Sequence, residues 1–475
     1  MLKSTRIDTG IPNKIYNEML SSHLDEKIET DYTSDLSEKQ KMAFELYRQG
    51  KNVLMMGPSG VGKTKCIKIM SDYTINECPD KNIRLTSTTA ISAYSINGTT
   101  IHSLLGIGTG ELPIEDLIRK VSRKKMYVDQ IRQMDIIILD EISMLSASLF
   151  EKINILLQTI RKNKLHWGGI QVVLTGDFLQ LEVVFNSNNT IYKDQDRRLL
   201  IESPVYQEMF TLGSTKPKKG NIIILDVNFR QKADPEFKGI LNRIRDASFT
   251  EDDITLLKKY QRLPDLDKQS QYVHLVCTNK KADLINQSEL FKLKERDYIF
   301  DCKVVSPTLA KNAELSNLLI KEMEHQFRTK GLLKLVLRKG ARVMLVKNLD
   351  ISTGLVNGSI GTVVNFIGAY PNVLFDNSES KRPVIITPVS WELEMSSCKA
   401  TSEQVPLILA YSINVHKCQG QTLDSAIIDI GDAFCNHMVY VALSRVKSLE
   451  GLYLKTFNPD KITCNAKIVE YLKKF

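Results

Sequence analysis

The sequence GPSGVGKT at 57–64 fits the spacing G-x-x-x-x-G-K-[ST]. It follows the apolar run VLMM and leads into TKCIKIMSDY, which has the composition of a helix. That strand–loop–helix setting separates a working phosphate loop from a chance match. Glycines let main-chain N–H groups wrap an anion with no Cβ in the way. The helix that follows turns its positive end toward the same anion. Gly57, Pro58, Ser59, Gly60, Val61, Gly62, Lys63 and Thr64 are therefore read as a nucleotide-binding loop. Lys63 is placed to neutralise the β- and γ-phosphates, and Thr64 to ligate Mg²⁺.

A second chemical element is IIILDEISML at 136–145. Four apolar residues lead into Asp140 and Glu141, so two carboxylates stand at the end of a buried strand. Phosphoryl transfer to water needs one carboxylate near the metal, the role given to Asp140. It needs another to polarise the attacking water, the role given to Glu141. The two motifs together point to hydrolysis of ATP or a close analogue. What that hydrolysis drives is left open, because many unrelated proteins share this core.

The surrounding elements must position these groups. KNVLMM, NIRLTST, MDIIILD and IQVVLTG are short runs rich in Val, Ile and Leu, separated by longer amphipathic stretches such as SLFEKINILLQTIRK. Such alternation predicts a parallel sheet covered on both faces. A second set comprises NIIILDV, QYVHLVCTN, VPLILAYSI, SAIIDIG and GLYLKTF. It is interrupted at 331–400 by short strands with glycine turns, which read as a small β-barrel insertion. With 475 residues, 43% of them hydrophobic, the chain can bury sizeable cores without staples. Eight cysteines lie scattered with no CxxC pair, so a zinc or redox motif is not expected. The N-terminus lacks an apolar signal core and no run approaches a membrane span, so a soluble, intracellular, non-secreted protein is expected. The excess of 64 Lys and Arg over 55 Asp and Glu is a modest pointer toward nucleic acid.

Further motifs specify the class. LSEKQ at 36–40 resembles the Q motif of helicases, with Gln40 able to give and accept hydrogen bonds at an adenine edge. RLTSTTAISAYSINGTTIHSLLGIG at 84–108 is similar to motif Ia of Pif-type superfamily 1 helicases, and GGIQVVLTGDFLQL at 168–181 to motif III. NFRQKADPEFKGILNRIR at 228–245, SINVHKCQGQTLD at 412–424 and VYVALSRVKSLEGLYL at 439–454 resemble motifs IV, V and VI. The segment SLFEKINILLQTIRKNKLHWGGIQ resembles the signature that separates Pif-type helicases from RecD relatives. Two departures stand out. His166-Trp167-Gly168-Gly169 occupies the place of the usual Pro-Phe-Gly-Gly, and Gln-Leu-Glu-Val-Val at 180–184 that of Gln-Leu-Pro-Pro-Val.

The resemblance, spanning about 36–455, implies an α/β chain with two RecA-like parallel-sheet domains and ATP between them. It divides the chain into a lead-in at 1–35, domain 1A at 36–215 with a wedge insertion 1B at about 104–132, domain 2A at 216–330 and 401–475, and an SH3-like insertion 2B at 331–400. It places Gln180, Arg230 and Arg445 at the γ-phosphate. It places Thr88, Thr89, His102, Asn279, His416 and Gln419 on a single-stranded DNA track. Arg119, Lys120, Arg123, Lys124, Lys125 and Arg132 fall in the wedge that meets fork or tailed duplex. Trp167 and Trp391 are expected to be core residues, as a lone tryptophan usually is, with base stacking as the alternative. The activity implied is a monomeric 5′-to-3′ DNA helicase in replication, repair or recombination, acting in the nucleus or at a site of viral DNA replication. Alternatives are a RecD-like exonuclease subunit, an RNA-directed helicase, or an inactive nucleic-acid-binding scaffold.

Overall fold

The computed structural model describes residues 31–475 except 184–196, 212–220, 231–233, 266–271, 308–312, 351–352, 354, 356, 377–381 and 396–397. Most of the expected lead-in, residues 1–30, lies outside the described residues.

Strands β1 (Val53–Met56), β2 (Ile83–Ser87), β3 (Thr99–Thr100), β4 (Ile136–Asp140), β5 (Gln171–Gly176) and β6 (Ile222–Ile224) form one parallel sheet in the order β3-β2-β4-β5-β1-β6. β1 and β4 are buried at every position, as their unbroken apolar sequences require when helices cover both faces. Next along the chain come β7 (Val273–Val276), β8 (Tyr298–Asp301), β9 (Lys334–Leu337), β10 (Arg342–Leu345), β11 (Ile360–Ile367), β12 (Tyr370–Phe375) and β13 (Val384–Ile385). They are followed by β14 (Val389–Met395), β15 (Cys398–Gln404), β16 (Leu407–Leu409), β17 (Ser412–Asn414), β18 (Ala426–Asp429) and β19 (Leu452–Thr456). A second parallel sheet has the order β17-β7-β18-β19. Between its first two strands in sequence lie an antiparallel sheet, β13-β12-β11-β10-β16, the hairpin β14-β15 and the antiparallel pair β8-β9.

Three expectations from the sequence shift. NIIILDV was grouped with the second lobe, but β6 pairs with β1 at the edge of the first sheet. VPLILAYSI reads as one strand and is two, with β16 in the antiparallel insertion and β17 in the second parallel sheet. The terminal helix Ala466–Leu472 was expected with the second lobe, yet Ile468 and Tyr471 are buried in the core of the first. Conversely Leu181, which follows the first sheet, is buried in the core of the second lobe. Each lobe therefore completes the other's interior. Tyr471 meets Phe178 edge-on at 6.0 Å, and its hydroxyl lies 2.7 Å from that of Tyr206.

The helix Ala147–Arg161 shows how the first core is assembled. Ser146 caps it, and Phe150, Ile153, Leu157 and Ile160 recur at helical spacing on its buried face. The HWGG turn closes over that face with left-handed φ values of 51° at Trp167, 63° at Gly168 and 79° at Gly169. A Cβ at Gly168 would stand 2.8 Å from the Leu157 carbonyl, which makes glycine obligatory there. Trp167 is fully buried against Phe150 at a ring separation of 5.0 Å, so it is a core residue and not a base-stacking one. Trp391 packs edge-on against Phe327 with the Lys347 ammonium 4.9 Å over its ring.

In the expected wedge region, helices Ile114–Ser122 and Lys125–Gln133 bury Leu117, Val121 and Ile131 in the first core. Arg123, Lys124 and Lys125 remain exposed at their junction. Among the described residues no helix is long and apolar enough to cross a membrane.

Replacing Trp167 by Ala should lower the stability of the first lobe by about 3–5 kcal/mol. Urea unfolding followed by circular dichroism would read this as an earlier first transition, with single-strand affinity of the folded variant unchanged.

Candidate functional site

The carboxyl ends of the first sheet open onto a cleft of about 340 Å³. Open parallel sheets place ligands there because loops and helix N-termini converge on that edge. Ser59, Gly60, Gly62, Lys63 and Thr64 line it with Asp140, Glu141 and Gln180, Phe229 and Arg230 pack directly on the phosphate loop, and Gly420 comes from the second lobe. The helix Lys63–Glu77 begins at Gly62, whose φ of 81° is left-handed. Lys63 Nζ donates to the Gly57 and Pro58 carbonyls at 2.8 and 2.9 Å, and burial lowers its pKa. Gln40 is stapled to the same loop. Its Nε2 donates to the Val61 carbonyl at 3.2 Å while its Oε1 accepts from Ser37 N–H at 2.9 Å.

The carboxylate pair is held tightly. Asp140 Oδ1 accepts from Thr175 Oγ1 at 3.1 Å and Oδ2 from Ser92 Oγ at 2.6 Å. Glu141 sits in left-handed backbone with φ 57°, which turns its side chain off the strand and into the cleft. Burial and then the neighbouring Asp140 raise the Glu141 carboxyl above its ordinary range. Gln180 is buried, and its Oε1 has no partner among the described residues. An orphaned buried acceptor in the cleft suits a donor brought by a ligand or water. Thr64 and Asp140 offer hard oxygen donors at the phosphate loop, the set that Mg²⁺ prefers.

Arginines complete the cleft. Arg230 Nη1 donates to Ser59 Oγ at 2.6 Å and reaches the Ser444 carbonyl at 3.4 Å, linking the phosphate loop to the second lobe. Burial, and then the charge of Arg445, lower Arg230 to about 10, so it stays ionised at neutral pH. Arg445 is fully buried, donating to the Val441 and Gln421 carbonyls and to Ser444 Oγ, and its charge acts on Glu141. Two crowded, desolvated guanidinium groups beside a lysine favour a multiply charged anion.

The proposed DNA residues separate. Gln419 is corrected: it is buried in the cleft, and its Nε2 donates to Glu141 Oε2 and Ser143 Oγ, both at 3.3 Å. Thr88 Oγ1 donates to the Glu141 carbonyl at 2.7 Å, and Thr89 Oγ1 accepts Ser92 N–H at 3.3 Å, so both hydroxyls serve internal structure. Asn279 lines a separate polar groove of about 210 Å³ with Asp283, Asn414 and Lys417. His416 stacks on Phe434, a ring that is 62% exposed. His102 lies on the short helix Ile101–Leu105, and burial lowers its pKa as it does that of His416.

Four participants were not singled out from sequence. Phe229 lines the nucleotide cleft, and Tyr440 Oη accepts Ser59 N–H at 3.4 Å from the second lobe. Asp177 and Arg245 form a two-pronged ion pair at 2.6 and 2.9 Å that joins the lobes. Asp177 comes directly after a buried strand, much as Asp140 ends one, and that signal is present in the sequence. Arg245 carries none, since only the fold brings it there.

Two parallel-sheet lobes meeting at a phosphate loop, a carboxylate pair and buried arginines define a RecA-like nucleotide-driven motor. A family model described as PIF1-like helicase matches residues 35–254, and one described as the 2B domain of DNA helicase Pif1 matches 329–366. The chain belongs to the PIF1-like helicase family. An uncharacterized protein, 030L, of Invertebrate iridescent virus 6 is 30% identical, over 92% of this chain and 93% of its own. The human ATP-dependent DNA helicase PIF1 is 30% identical over 92% of this chain, which spans 63% of that protein's length. The crystal structure of Pif1 helicase from Candida albicans superposes with a TM-score of 0.77 at 28% identity, covering 92% of this chain and 99% of that one. Bacteroides Pif1 in complex with ADP-AlF3 and ssDNA gives 0.73 at 28% identity, over 92% and 96% of the two chains.

The Asp177–Arg245 pair has a definite pH signature. Burial alone would raise the Asp177 carboxyl, but the Arg245 charge and hydrogen bonds outweigh it and hold the pKa below its ordinary value. A depressed carboxyl contributes stability above its unfolded pKa of about 3.9 and loses it as pH falls through the folded value. Asp177→Asn strands a buried guanidinium, at a cost of about 3–5 kcal/mol. Stability measured from pH 7 down to pH 3 should fall more steeply below about pH 4 in the wild type than in this variant.

Proposed function

We propose that this chain is an ATP-dependent helicase that translocates on single-stranded DNA, 5′ to 3′, and separates duplex at forks or tails. The observation that carries this is the convergence of Lys63, Glu141 and Gln180 from the first lobe with Arg230 of the segment that crosses between the lobes and, behind it, Arg445 of the second lobe. The relatives named ATP-dependent DNA helicases support the same substrate class. Replication, repair or recombination inside the cell is the setting proposed.

Phosphate oxygens offer Lys63 stronger, charge-assisted acceptors than the loop carbonyls it now contacts. Thr64, with Asp140 nearby, would hold magnesium, which would neutralise charge on the transferring phosphoryl. Glu141, a stronger proton acceptor for being raised, orients the attacking water, with Gln180 beside it. Phe229, next to Gln40 and the loop, provides an aromatic face for the base. Arg230 stabilises charge on the departing phosphate, and its loss after hydrolysis leaves the arginines repelling one another. That difference in charge between nucleotide states biases the lobes between closed and open arrangements.

On the strand side, Asn279, Lys417 and His416 of the second lobe and His102 of the first are proposed to hold phosphates and sugars without reading sequence. Arg123, Lys124 and Lys125 are proposed to meet the fork.

Lys63→Ala and Arg230→Ala should each reduce strand-stimulated hydrolysis by at least about a hundredfold. Glu141→Gln should do the same while retaining nucleotide binding. Strand displacement on duplexes tailed at either end tests the polarity, and unwinding from a 3′ tail alone would reject it. Charge reversal at Arg123 and Lys124 should slow unwinding more than hydrolysis in parallel assays; equal losses would reject the fork role.

A further inference from the structure

Every hydroxyl along the segment 87–92 that reaches the neighbouring strand grips the same two residues. Ser87 Oγ donates to the Asp140 carbonyl at 3.2 Å, Thr88 N–H to that carbonyl at 3.2 Å, and Thr88 Oγ1 to the Glu141 carbonyl at 2.7 Å. Ser92 Oγ donates to Asp140 Oδ2 at 2.6 Å, with both side chains buried. Strand register brings this about: β2 pairs with β4 so that Ser87 stands beside Asp140. The residues after Ser87 then run alongside the turn that carries Glu141.

We infer that Thr88 and Ser92 are positioning residues for hydrolysis, which hold the Asp140–Glu141 pair in register with the phosphate loop. This rests on the reading of the cleft as an ATPase site. Glu141 needs such support. It is a non-glycine residue in left-handed backbone, a conformation that persists only when its surroundings impose it. Its carboxylate is restrained by Gln419 from the second lobe, and its carbonyl by Thr88 from the first. A threonine hydroxyl has one proton to give. While Thr88 donates that proton to Glu141, it has none for a strand phosphate, so strand contact and carboxylate support compete for one atom. A water-orienting carboxylate displaced by a fraction of an ångström loses rate steeply. Ser92 performs the corresponding service for Asp140, whose other oxygen is taken by Thr175.

The experiment compares Thr88→Val, which keeps shape and removes the hydroxyl, with Thr88→Ser, which restores it. At saturating ATP and oligothymidylate, Thr88→Val should lower kcat by about ten- to a hundredfold. Its affinity for oligothymidylate, measured by fluorescence anisotropy, should stay within about twofold of wild type, and Thr88→Ser should recover most of the rate. An unchanged kcat with weakened oligothymidylate binding would make Thr88 a strand contact and overturn the inference. A serine variant as slow as the valine one would do so too. Ser92→Ala supplies an independent arm should Thr88→Val fold poorly. It should lose the gain in ADP affinity that Mg²⁺ confers, while ADP affinity without metal is unchanged; an undiminished gain would count against the positioning of Asp140. A wild-type chain that hydrolyses no ATP would overturn the ATPase reading itself, whereas an active wild type matched by Thr88→Val and Ser92→Ala would overturn this inference alone.

Discussion

The contact on which the geometry of the cleft depends is the ion pair between Asp177 and Arg245. Its carboxylate is fully buried, while the arginine side chain keeps about a fifth of its surface exposed. Such a pair adds little when whole and costs a great deal when one partner leaves, so it acts as a constraint on lobe placement more than as a source of stability. It ties the loop after β5 to the helix Pro235–Arg245. The charge of Asp177 also reaches Lys63 and Tyr440, and the Tyr440 hydroxyl accepts a phosphate-loop N–H. The loop that holds phosphate and the helix that carries the second lobe therefore share one electrostatic junction. A change of charge in the cleft is felt directly at the joint between lobes.

The catalytic half of the site was legible because its motifs are local. GPSGVGKT and LDE each need only one strand end and a few following residues, so spacing alone orders them correctly. Sheet membership was less legible. NIIILDV announces a buried strand, but nothing in its composition says that its partner is VLMM, about 170 residues earlier in the chain, and not QYVHLV. Parallel pairing is a long-range property, set by how the crossover helices pack. Gln419 shows the same limit on a smaller scale. It lies three residues from His416, yet the tight turn at 414–421 sends His416 toward Phe434 and Gln419 toward Glu141. Adjacency in a motif does not place two side chains on one surface.

The two departures from the family pattern each have a structural counterpart. The HWGG turn replaces a proline-led one, and Trp167 fills the space over Phe150 from a left-handed backbone position. Glu182 stands where the pattern has proline. Its carboxylate accepts from Asn465 Nδ2 at 2.9 Å and lies 3.9 Å from His437 Nε2. His437 is itself buried and left-handed, and it accepts the Asn465 N–H at 3.2 Å. Glu182 thus joins the strand-end loop of one lobe to the last segment of the chain and to the helix Met438–Leu443 of the other.

That last segment has a consequence for biogenesis. Tyr471 closes the first core against Tyr206, a partner made 265 residues earlier. At translation speeds of about 5–20 residues per second, Tyr206 waits roughly 13 to 53 seconds for its cover, and Phe178 slightly longer. During that interval the nascent first lobe leaves an aromatic surface uncovered. Completion of the first core therefore waits on the helix that carries Tyr471.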